Sequence, residues 1–414
     1  MKPGEIDLFN PDVFVDGVPF ETFRRLRAEA PVYWHEAPFT TGRPGYWAIT
    51  RQKEIIPISR DPGTFSSERL GTQLLDWHED DLTAIRLMML NMDPPQHVKF
   101  RNLVKGGFLP RMTAALEPRI RSRVRDILDA IALRGECDFV GDIAARMPLE
   151  VIAEMLGIPD EDREKVFVWT NRLIGFDDPE FKHENSMQDT RDAGAEMWMY
   201  ALALAESREG QVSDDFVSVL LRAEVEGEKL TQMEFCSFFL LLAVAGNETT
   251  RNATSGGMLA LLQHPDERAR LQANPALLPG AIEEMLRWTS PVVYMARTAT
   301  RDVELCGQQI LAGDRMALYY PSANRDEAVF KDPERFDITR SPNDHLAFGI
   351  GQHMCLGASL ARLELRVLFE ELLRRFPDME LAAPVRRLRS NFINGIKEMR
   401  MSFTPERARI AAAG

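Results

Sequence analysis

The segment FGIGQHMCLG, residues 348–357, is the most informative part of this sequence. Its glycines, Gly349 and Gly351, permit a tight turn. An amphipathic helical pattern follows at residues 356–375, so that Cys355 stands at the start of a helix. The free N–H groups and the dipole at that end of a helix stabilise a thiolate. The segment therefore predicts that Cys355 is a metal ligand or a nucleophile.

The other cysteines, Cys137, Cys236 and Cys306, lack such a setting and are expected to be inert buried thiols. Four cysteines in 414 residues, none of them in a C-x-x-C pair, form neither a disulfide framework nor a zinc knuckle. A nucleophilic Cys355 would need a base, and His353 is two residues away. No separate Cys-His-Asn pattern is evident, so a thiol enzyme stays open only as an alternative.

A long helix is predicted upstream of this segment. Thr231 and Glu234 form a capping box and Pro265 ends the helical pattern, which implies a helix of about 33 residues and on the order of 50 Å. Residues 235–246, FCSFFLLLAVAG, are apolar around the whole circumference, as in a buried helix. The polar residues NETT (247–250) follow directly, and a polar island in a buried helix needs a reason.

Two interpretations of this polar island are open. Glu248 and Thr249 belong either to a satisfied network in the core or to a site that delivers protons to a bound molecule. The small residues Ala243, Ala245 and Gly246 favour the second interpretation, because they leave room for a flat ligand or a small molecule beside the helix.

The rest of the chain indicates a mainly α protein with minor β structure. The apolar period is almost wholly helical from about residue 95 to 290, and a shorter helical pattern covers residues 20–28. Extended patterns rich in aromatic and β-branched residues lie at residues 31–35, 45–50, 297–305 and 315–320. No linker, repeat or charge block marks a boundary. We expect one domain over residues 1–414, with a β-containing part at about 30–60 and a helical core at about 95–290.

The composition excludes several functional classes. Hydrophobic residues make up 45% and charged residues 27% of the chain, as in an ordinary globular protein. The net charge of −13 argues against a nucleic-acid partner. The longest strongly apolar stretch, residues 238–246, is far shorter than the roughly 18 residues that span a bilayer, and no signal-peptide pattern is present. We therefore expect a cytoplasmic protein without a membrane span.

Four motifs together resemble those of the bacterial cytochrome P450 family, which are haem-thiolate monooxygenases. FGIGQHMCLG matches the haem-binding pattern F-x-x-G-x-H-x-C-x-G at every fixed position. AGNETT (245–250) matches the oxygen-activating pattern A-G-x-[DE]-T-T, Glu284 and Arg287 match E-x-x-R, and residues 330–336 match the downstream P-x-R-F segment. The resemblance covers essentially the full chain. It implies a single α-rich P450-like domain with a long central helix and small sheets.

The resemblance assigns roles to a set of cofactor-binding residues. Cys355 would be the axial ligand of the iron of haem b, with Phe348 packed near the sulfur. Gly246 and Gly349 also belong to the cofactor-binding set. Four basic side chains would hold the two haem propionates: His97, Arg101, Arg297 and His353. The remaining histidines are expected to be ordinary polar residues: His35, His78, His183, His264 and His345.

The same resemblance implies the reaction and its supporting residues. With O₂ as co-substrate, Thr249 would hydrogen-bond the dioxygen while Glu248 relays protons from solvent. Glu284, Arg287 and Arg335 would form a buried ion triad that supports the haem loop. A haem protein that senses or carries a ligand without turnover is the alternative, and the intact pair of acid and hydroxyl argues against it.

A lipophilic substrate is predicted because the positions that match the family's distal pocket are all apolar: Leu241, Val244, Ala245, Val293, Met295 and Ile393. The amino-acid sequences of these motifs most resemble those of family members that oxidise steroid side chains, fatty acyl chains and terpenoids. We expect the substrate to enter tail-first, because an unpaired charge against these residues would be costly. Its polar end would stay at the mouth, near loops 70–91 and 175–188 with Arg69, Arg86 and Lys182.

Electrons would come from separate proteins, because the short tail after Glu406 resembles neither a flavin nor an iron–sulfur domain. A ferredoxin and its reductase are the predicted donors. They would dock near Cys355, where a basic patch is expected from Lys99, Lys105, Arg362 and Arg366.

Overall fold

A computed structural model describes residues 6–108, 110–174, 178, 180, 186–208, 216–225 and 227–406. The fold is mainly helical with small sheets, as the sequence predicts. Its helices are α1 (Phe20–Glu29), α2 (Gln52–Arg60), α3 (Glu79–Ile85), α4 (Gln96–Val104), α5 (Pro110–Ala115), α6 (Glu117–Ile131), α7 (Arg146–Met155), α8 (Arg163–Ile174), α9 (Ser186–Arg208), α10 (Phe216–Arg222), α11 (Gln232–Gln263), α12 (Pro265–Ala273), α13 (Leu278–Thr289), α14 (Tyr320–Ala323) and α15 (Ala358–Arg375).

The strands are short and belong to several sheets. They are β1 (Val32–Glu36), β2 (Gly45–Ile49), β3 (Phe65–Ser66), β4 (Glu136–Asp138), β5 (Glu224–Val225), β6 (Glu228–Lys229), β7 (Tyr294–Ala299), β8 (Val303–Leu305), β9 (Gln308–Ile310), β10 (Arg315–Tyr319), β11 (Glu380–Leu381), β12 (Arg386–Arg387), β13 (Ile396–Glu398) and β14 (Arg400–Ser402). The largest sheet has the order β1-β2-β10-β7-β3, in which β10 runs parallel to β2 and the other neighbours are antiparallel.

The long helix predicted from the capping box is α11, which has 32 residues. Thr231 Oγ1 accepts a hydrogen bond from the N–H of Glu234 at 3.2 Å, and the Glu234 carboxylate accepts from the N–H of Thr231 at 2.8 Å. Its length of about 48 Å carries it through the largest core cluster, where it packs against α7, α8, α9, α13 and α15. The polar island therefore lies in the middle of the molecule.

Two details differ from the expected organisation. The segment predicted as extended at 297–305 divides into β7 and β8, because a turn at residues 300–302 separates them. The region predicted as a helical core at 95–290 also contains β4, which pairs with β14 near the C-terminus, and the hairpin of β5 and β6. Within the described part of the chain, none of the helices combines the length and the apolar character needed to cross a bilayer.

Candidate active site

The loop of residues 348–357 takes its shape from its glycines. Gly349 and Gly351 have φ angles of +65° and +77°. A Cβ atom on Gly351 would lie 2.4 Å from the carbonyl oxygen of Ser59 in α2, so a side chain cannot be accommodated here. The loop is thus seated against α2 by a contact that needs a glycine.

The thiol of Cys355 faces an internal cavity beside this loop. Its N–H donates to the carbonyl of Phe348 at 2.8 Å, and its sulfur accepts from the N–H of Gly357. Helix α15 begins only at Ala358, so Cys355 precedes the helix rather than standing in its first turn. Burial raises the pKa of the thiol, while the Gly357 N–H and the Arg101 guanidinium act in the opposite direction. A bound metal ion would supply the positive charge that deprotonates it.

The cavity has a volume of about 240 Å³ and lies between this loop, α4, α11 and β7. It brings together residues that are far apart in the sequence. All eight residues predicted to bind the cofactor line it: Cys355, His97, Arg101, Arg297, His353, Phe348, Gly246 and Gly349. Thr249 lines the same cavity from α11.

Four basic side chains converge on this cavity: His97 and Arg101 from α4, Arg297 from β7 and His353 from the loop. The rings of His97 and His353 lie 4.1 Å apart between centroids. His97 is 1% exposed, and its Nδ1 has no hydrogen-bond partner among the described residues. Arg101 and Arg297 each donate to a backbone carbonyl, at 2.7 and 2.6 Å.

Positive charge predominates in this cluster. Burial, together with the charge of Arg101, lowers the pKa of His97 to about 4. Burial, together with Arg297, His97 and Arg101, lowers the pKa of His353 to about 2. Buried cations without a partner are costly, so the arrangement favours a ligand that brings negative charge.

The nearby carboxylate of Asp93 acts on this cluster through its charge but is engaged elsewhere. It accepts from Ser66 Oγ at 2.5 Å and from the Ser67 N–H at 2.8 Å. Within the described residues, no hydrogen bond joins a carboxylate to any of the four basic side chains. The residues therefore fit haem, whose two propionates would supply the missing negative charge while its iron meets the thiol of Cys355.

The two residues predicted to be catalytic face different directions. Thr249 faces the cavity, and its Oγ1 donates to the carbonyl of Ala245 at 2.7 Å. Glu248 is 1% exposed and lies away from the cavity, where it forms an ion pair with Arg251 at 2.9 Å. Arg251 also donates to Asn171 of α8 at 3.1 Å. The second carboxylate oxygen of Glu248 has no partner among the described residues, and burial raises the pKa of this group against the effect of Arg251.

Gly246 has a packing role that the sequence did not reveal. A Cβ atom on Gly246 would lie 2.6 Å from Cδ1 of Ile152 in α7. Ile152 itself lines the cavity. The glycine therefore lets α7 approach α11 closely, in addition to lining the cavity as predicted.

Only half of the residues predicted for the substrate pocket line the cavity. Leu241, Ala245 and Met295 line the cavity, whereas Val244, Val293 and Ile393 do not. Side chains alternate along an extended segment, so Val292 faces the cavity while Val293 packs into a core cluster, and Ile393 pairs with the backbone of Val292. Lining residues that sequence reasoning missed are Met89, Leu90, Ile152, Phe238, Leu242 and Val292.

The ion triad contains a different arginine from the predicted one. Glu284 binds Arg287 at 2.8 Å, and its other arginine partner is Arg340, at 3.1 Å, not Arg335. The side chain of Arg335 is exposed, while its carbonyl accepts from both arginines. The chain turns after the P-x-R-F segment, which brings Arg340 back to α13.

The predicted basic patch is reduced by ion pairing. Lys105 is exposed, whereas Lys99 is half-buried. Arg362, however, is bound through both ends of its guanidinium to Glu283, at 2.7 Å for each contact. Arg366 likewise contacts carboxylates of α6 and α15. Only part of the expected positive charge is therefore available to a partner.

The predicted mouth residues are only partly described. Arg69 is exposed, but Arg86 donates to two backbone carbonyls and contacts Glu79. Lys182, most of the predicted loop 175–188 and His183 lie outside the described residues.

The three other cysteines do not line the cavity. Burial raises the pKa of Cys137 to about 12 and that of Cys236 to about 11. Cys306 is exposed, contrary to expectation, because it stands at the turn between β8 and β9 with a φ of +51°.

Comparisons with known proteins identify the family of this chain. A sequence model of the family described as cytochrome P450 matches residues 83–383. The methyl-branched lipid omega-hydroxylase of Mycobacterium tuberculosis (strain CDC 1551 / Oshkosh) is 42% identical over 411 residues, which cover 97% of this chain and 94% of the relative. The steroid C26-monooxygenase of Rhodococcus jostii (strain RHA1) is 39% identical over 409 residues, which cover 97% of this chain and 85% of the relative.

Among solved structures, a Mycobacterium marinum cytochrome P450 in complex with pseudoionone has a TM-score of 0.90 at 37% identity. That match covers 97% of this chain and 99% of the other. The chain therefore belongs to the cytochrome P450 family, as a cytochrome P450 monooxygenase.

Proposed function

We propose that this P450 hydroxylates an aliphatic carbon of a lipophilic substrate, of the steroid side-chain, fatty acyl or terpenoid type, far from the polar end of that substrate. The observation that carries this proposal is the composition of the cavity. Its lining combines Cys355 and the four basic side chains with aliphatic and aromatic residues of α7, α11 and β7. A cofactor site and an apolar substrate site thus share one space.

The cofactor is proposed to be haem b, bound through Cys355. When bound, it supplies the chemistry that activates O₂ and inserts one oxygen atom into a C–H bond. Phe348 would pack near the sulfur, and the four basic side chains would hold the propionates. Gly246 and Gly349 would line the cofactor site, as both face the cavity.

The proton path begins at two residues of α11. Thr249 Oγ1 is placed to donate a hydrogen bond into the cavity once it leaves the carbonyl of Ala245. Glu248 is proposed to relay protons toward Thr249, using the carboxylate oxygen that has no partner in the described structure.

The substrate class follows from the apolar wall and from the relatives. Leu241, Ala245 and Met295 offer no hydrogen bond from their side chains, so shape rather than polarity would orient a substrate. The relatives are named as a methyl-branched lipid omega-hydroxylase, a steroid C26-monooxygenase and a linalool 8-monooxygenase. These names support entry with the hydrocarbon end first.

The electron donors are proposed to be a ferredoxin and its reductase. Met354, next to Cys355, is 44% exposed, and Lys99 and Lys105 add positive charge to the neighbouring α4 region. An acidic electron carrier would match this face.

A reduced, CO-treated spectrum tests the central part of the proposal. The wild-type protein should give the strongly red-shifted Soret band of thiolate-ligated haem, and Cys355→Ser or Cys355→His should lose it together with hydroxylation. Cys306→Ser, at an exposed turn outside the cavity, is the matched control and should keep both. A wild-type band without the red shift would refute the assignment of Cys355.

A panel of sterols, fatty acids and terpenoids, with the site of oxidation mapped for each, tests the substrate class. The expected result is binding of bulky lipophilic molecules and oxidation far from the polar end. Oxidation beside the polar group, or turnover of small polar molecules alone, would contradict entry with the hydrocarbon end first.

A further inference from the structure

Two neighbouring carboxylates of α13, Glu283 and Glu284, contact residues that lie close to the Cys355 loop in the sequence. Glu284 holds Arg287, Arg340 and Asn343, which lie before the loop. Glu283, the preceding residue, is not part of that triad and contacts other residues. Its role is not explained by the motif to which Glu284 belongs.

Glu283 binds two groups at once. Its carboxylate accepts two hydrogen bonds from Arg362 of α15, both at 2.7 Å, and lies 3.2 Å from Nε2 of His345. Burial acts to raise the pKa of Glu283, but the hydrogen bonds from Arg362 and His345 lower it to about 2. The group is therefore a carboxylate at any working pH.

His345 links this carboxylate to the base of the loop. The N–H of Ala347 donates to Nδ1 of His345 at 3.2 Å, so Nδ1 is the acceptor. Nε2 then carries the proton that points to Glu283. The imidazole thus fixes the backbone just before Phe348.

Arg362 links the same carboxylate to the middle of the loop. Its guanidinium carbon lies 4.5 Å from the centroid of the Phe348 ring, a cation–π distance. The carbonyl of Phe348 accepts the hydrogen bond from the N–H of Cys355. The charge of Arg362 also acts directly on the thiol of Cys355.

We propose that Glu283 is a positioning residue for the reaction, whose carboxylate holds Arg362 over Phe348 and His345 at the base of the loop. It thereby fixes the place of a positive charge beside the sulfur of Cys355. This inference rests on the proposed function, in which that sulfur binds the haem iron. Residues that contact the ligands of a metal site orient those ligands and tune the metal. Their loss typically lowers metal affinity or activity tenfold or more.

The direction in which the reduction potential shifts distinguishes a positioning role of Glu283 from the effect of its charge alone. Removing a negative charge near the iron makes its reduction potential more positive. Releasing Arg362 from its place has the opposite effect, because the thiolate then donates more electron density to the iron. In Glu283→Gln we therefore expect a more negative potential, together with haem release to an acceptor protein that is about tenfold faster.

Glu370→Gln is the matched control for this experiment. Glu370 is 33% exposed, compared with 30% for Glu283, and it also binds arginines, Arg121 and Arg366, but it does not contact the loop. It should leave the potential and the rate of haem release unchanged. A potential of Glu283→Gln that is unchanged or more positive would overturn the proposal, whatever the rate of haem release.

A second pair of variants keeps the test decisive if Glu283→Gln does not fold. Arg362→Lys keeps the charge but loses the planar two-point contact, and Arg362→Gln loses both. We expect both to shift the potential in the negative direction, with the larger shift in Arg362→Gln; no shift in Arg362→Gln refutes the inference. If the wild-type protein itself lacks the red-shifted CO band, the proposed function fails instead, and the two failures are told apart.

Discussion

Glu364 is a buried acid in the wall of the active-site cavity, and its protonation state makes a strong prediction. It lies on α15, is 2% exposed and lines the cavity, and its Oε2 has no hydrogen-bond partner among the described residues. Burial raises its pKa from an ordinary 4.5 to about 8. The side chain is thus expected to be a neutral acid at pH 7.

The free energy of unfolding should therefore fall with rising pH because of this one residue. Between the unfolded pKa of 4.5 and the folded pKa of about 8, the unfolded chain binds fewer protons than the folded one. At about 1.4 kcal/mol per pKa unit, the loss of stability between pH 5 and pH 8 amounts to about 3–4 kcal/mol. Glu364→Gln cannot ionise and avoids this loss.

The assay is thermal unfolding of the haem-loaded protein at pH 5 and at pH 8. The difference in Tm between Glu364→Gln and the wild type should grow by about 4 °C over this range, given the unfolding entropy of a chain of this length. Glu371→Gln on the same helix is the control. Glu371 is also buried, but Arg374, Arg125 and Arg121 outweigh the effect of burial and lower its pKa, so its replacement should destabilise at both pH values. A pH-independent difference for Glu364→Gln would refute a buried neutral acid.

Three further predictions concern other parts of the molecule. Thr249→Ala should keep the haem content but lower product formation by about 10²-fold, because reducing equivalents are diverted to peroxide. Assays of product and peroxide against NAD(P)H consumption check this, and an unchanged ratio of product to NAD(P)H consumed would reject the role of Thr249. Gly246→Ala should destabilise by about 1–3 kcal/mol through its contact with Ile152, and Ile152→Val should restore much of the loss in thermal unfolding. Although burial acts to raise the pKa of Asp76, hydrogen bonds, the first of them from Thr40, lower it to about 2. Its stabilisation is therefore present above about pH 4 and lost as the pH falls toward 2; Asp76→Asn should make the acid-unfolding curve shallower there.

The features that sequence analysis predicted correctly are those encoded locally. The capping box of Thr231 and Glu234 specifies the start of α11, because both partners lie within one turn. The glycines at 349 and 351 can be interpreted without the fold, because positive φ angles favour glycine, whereas the contact of Gly351 with Ser59 of α2 cannot. The placement of all predicted cofactor residues around one cavity comes instead from the family motifs, since α4, β7 and the loop are far apart in the chain.

The features that sequence analysis missed depend on the register of an extended segment or on which of two similar residues becomes a tertiary partner. Val292 and Val293 are equally apolar, and only the register of the extended segment determines which of them meets the cavity. Arg335 and Arg340 are both basic, and a turn between them selects the second as the partner of Glu284. Glu364, by contrast, carried a visible signal, since it and Glu371 are the acids on the otherwise apolar buried face of α15.

The arrangement of Glu248 and Thr249 shows why the residues around the cavity matter as much as those that line it. The residues of α11 that line the cavity recur in pairs, 241/242, 245/246 and 249/250, and Glu248 falls outside this stripe. Thr249 belongs to the stripe, and Glu248 is directed to Arg251, whose other partner, Asn171, lies on α8. In the proposed relay the proton passes through the carboxylate oxygen of Glu248 that has no partner among the described residues, while the other oxygen stays in its buried ion pair with Arg251. Under the proposed relay we therefore expect the coupling of electron flow to product to depend on α8, which holds Arg251 through Asn171, as well as on the cavity wall.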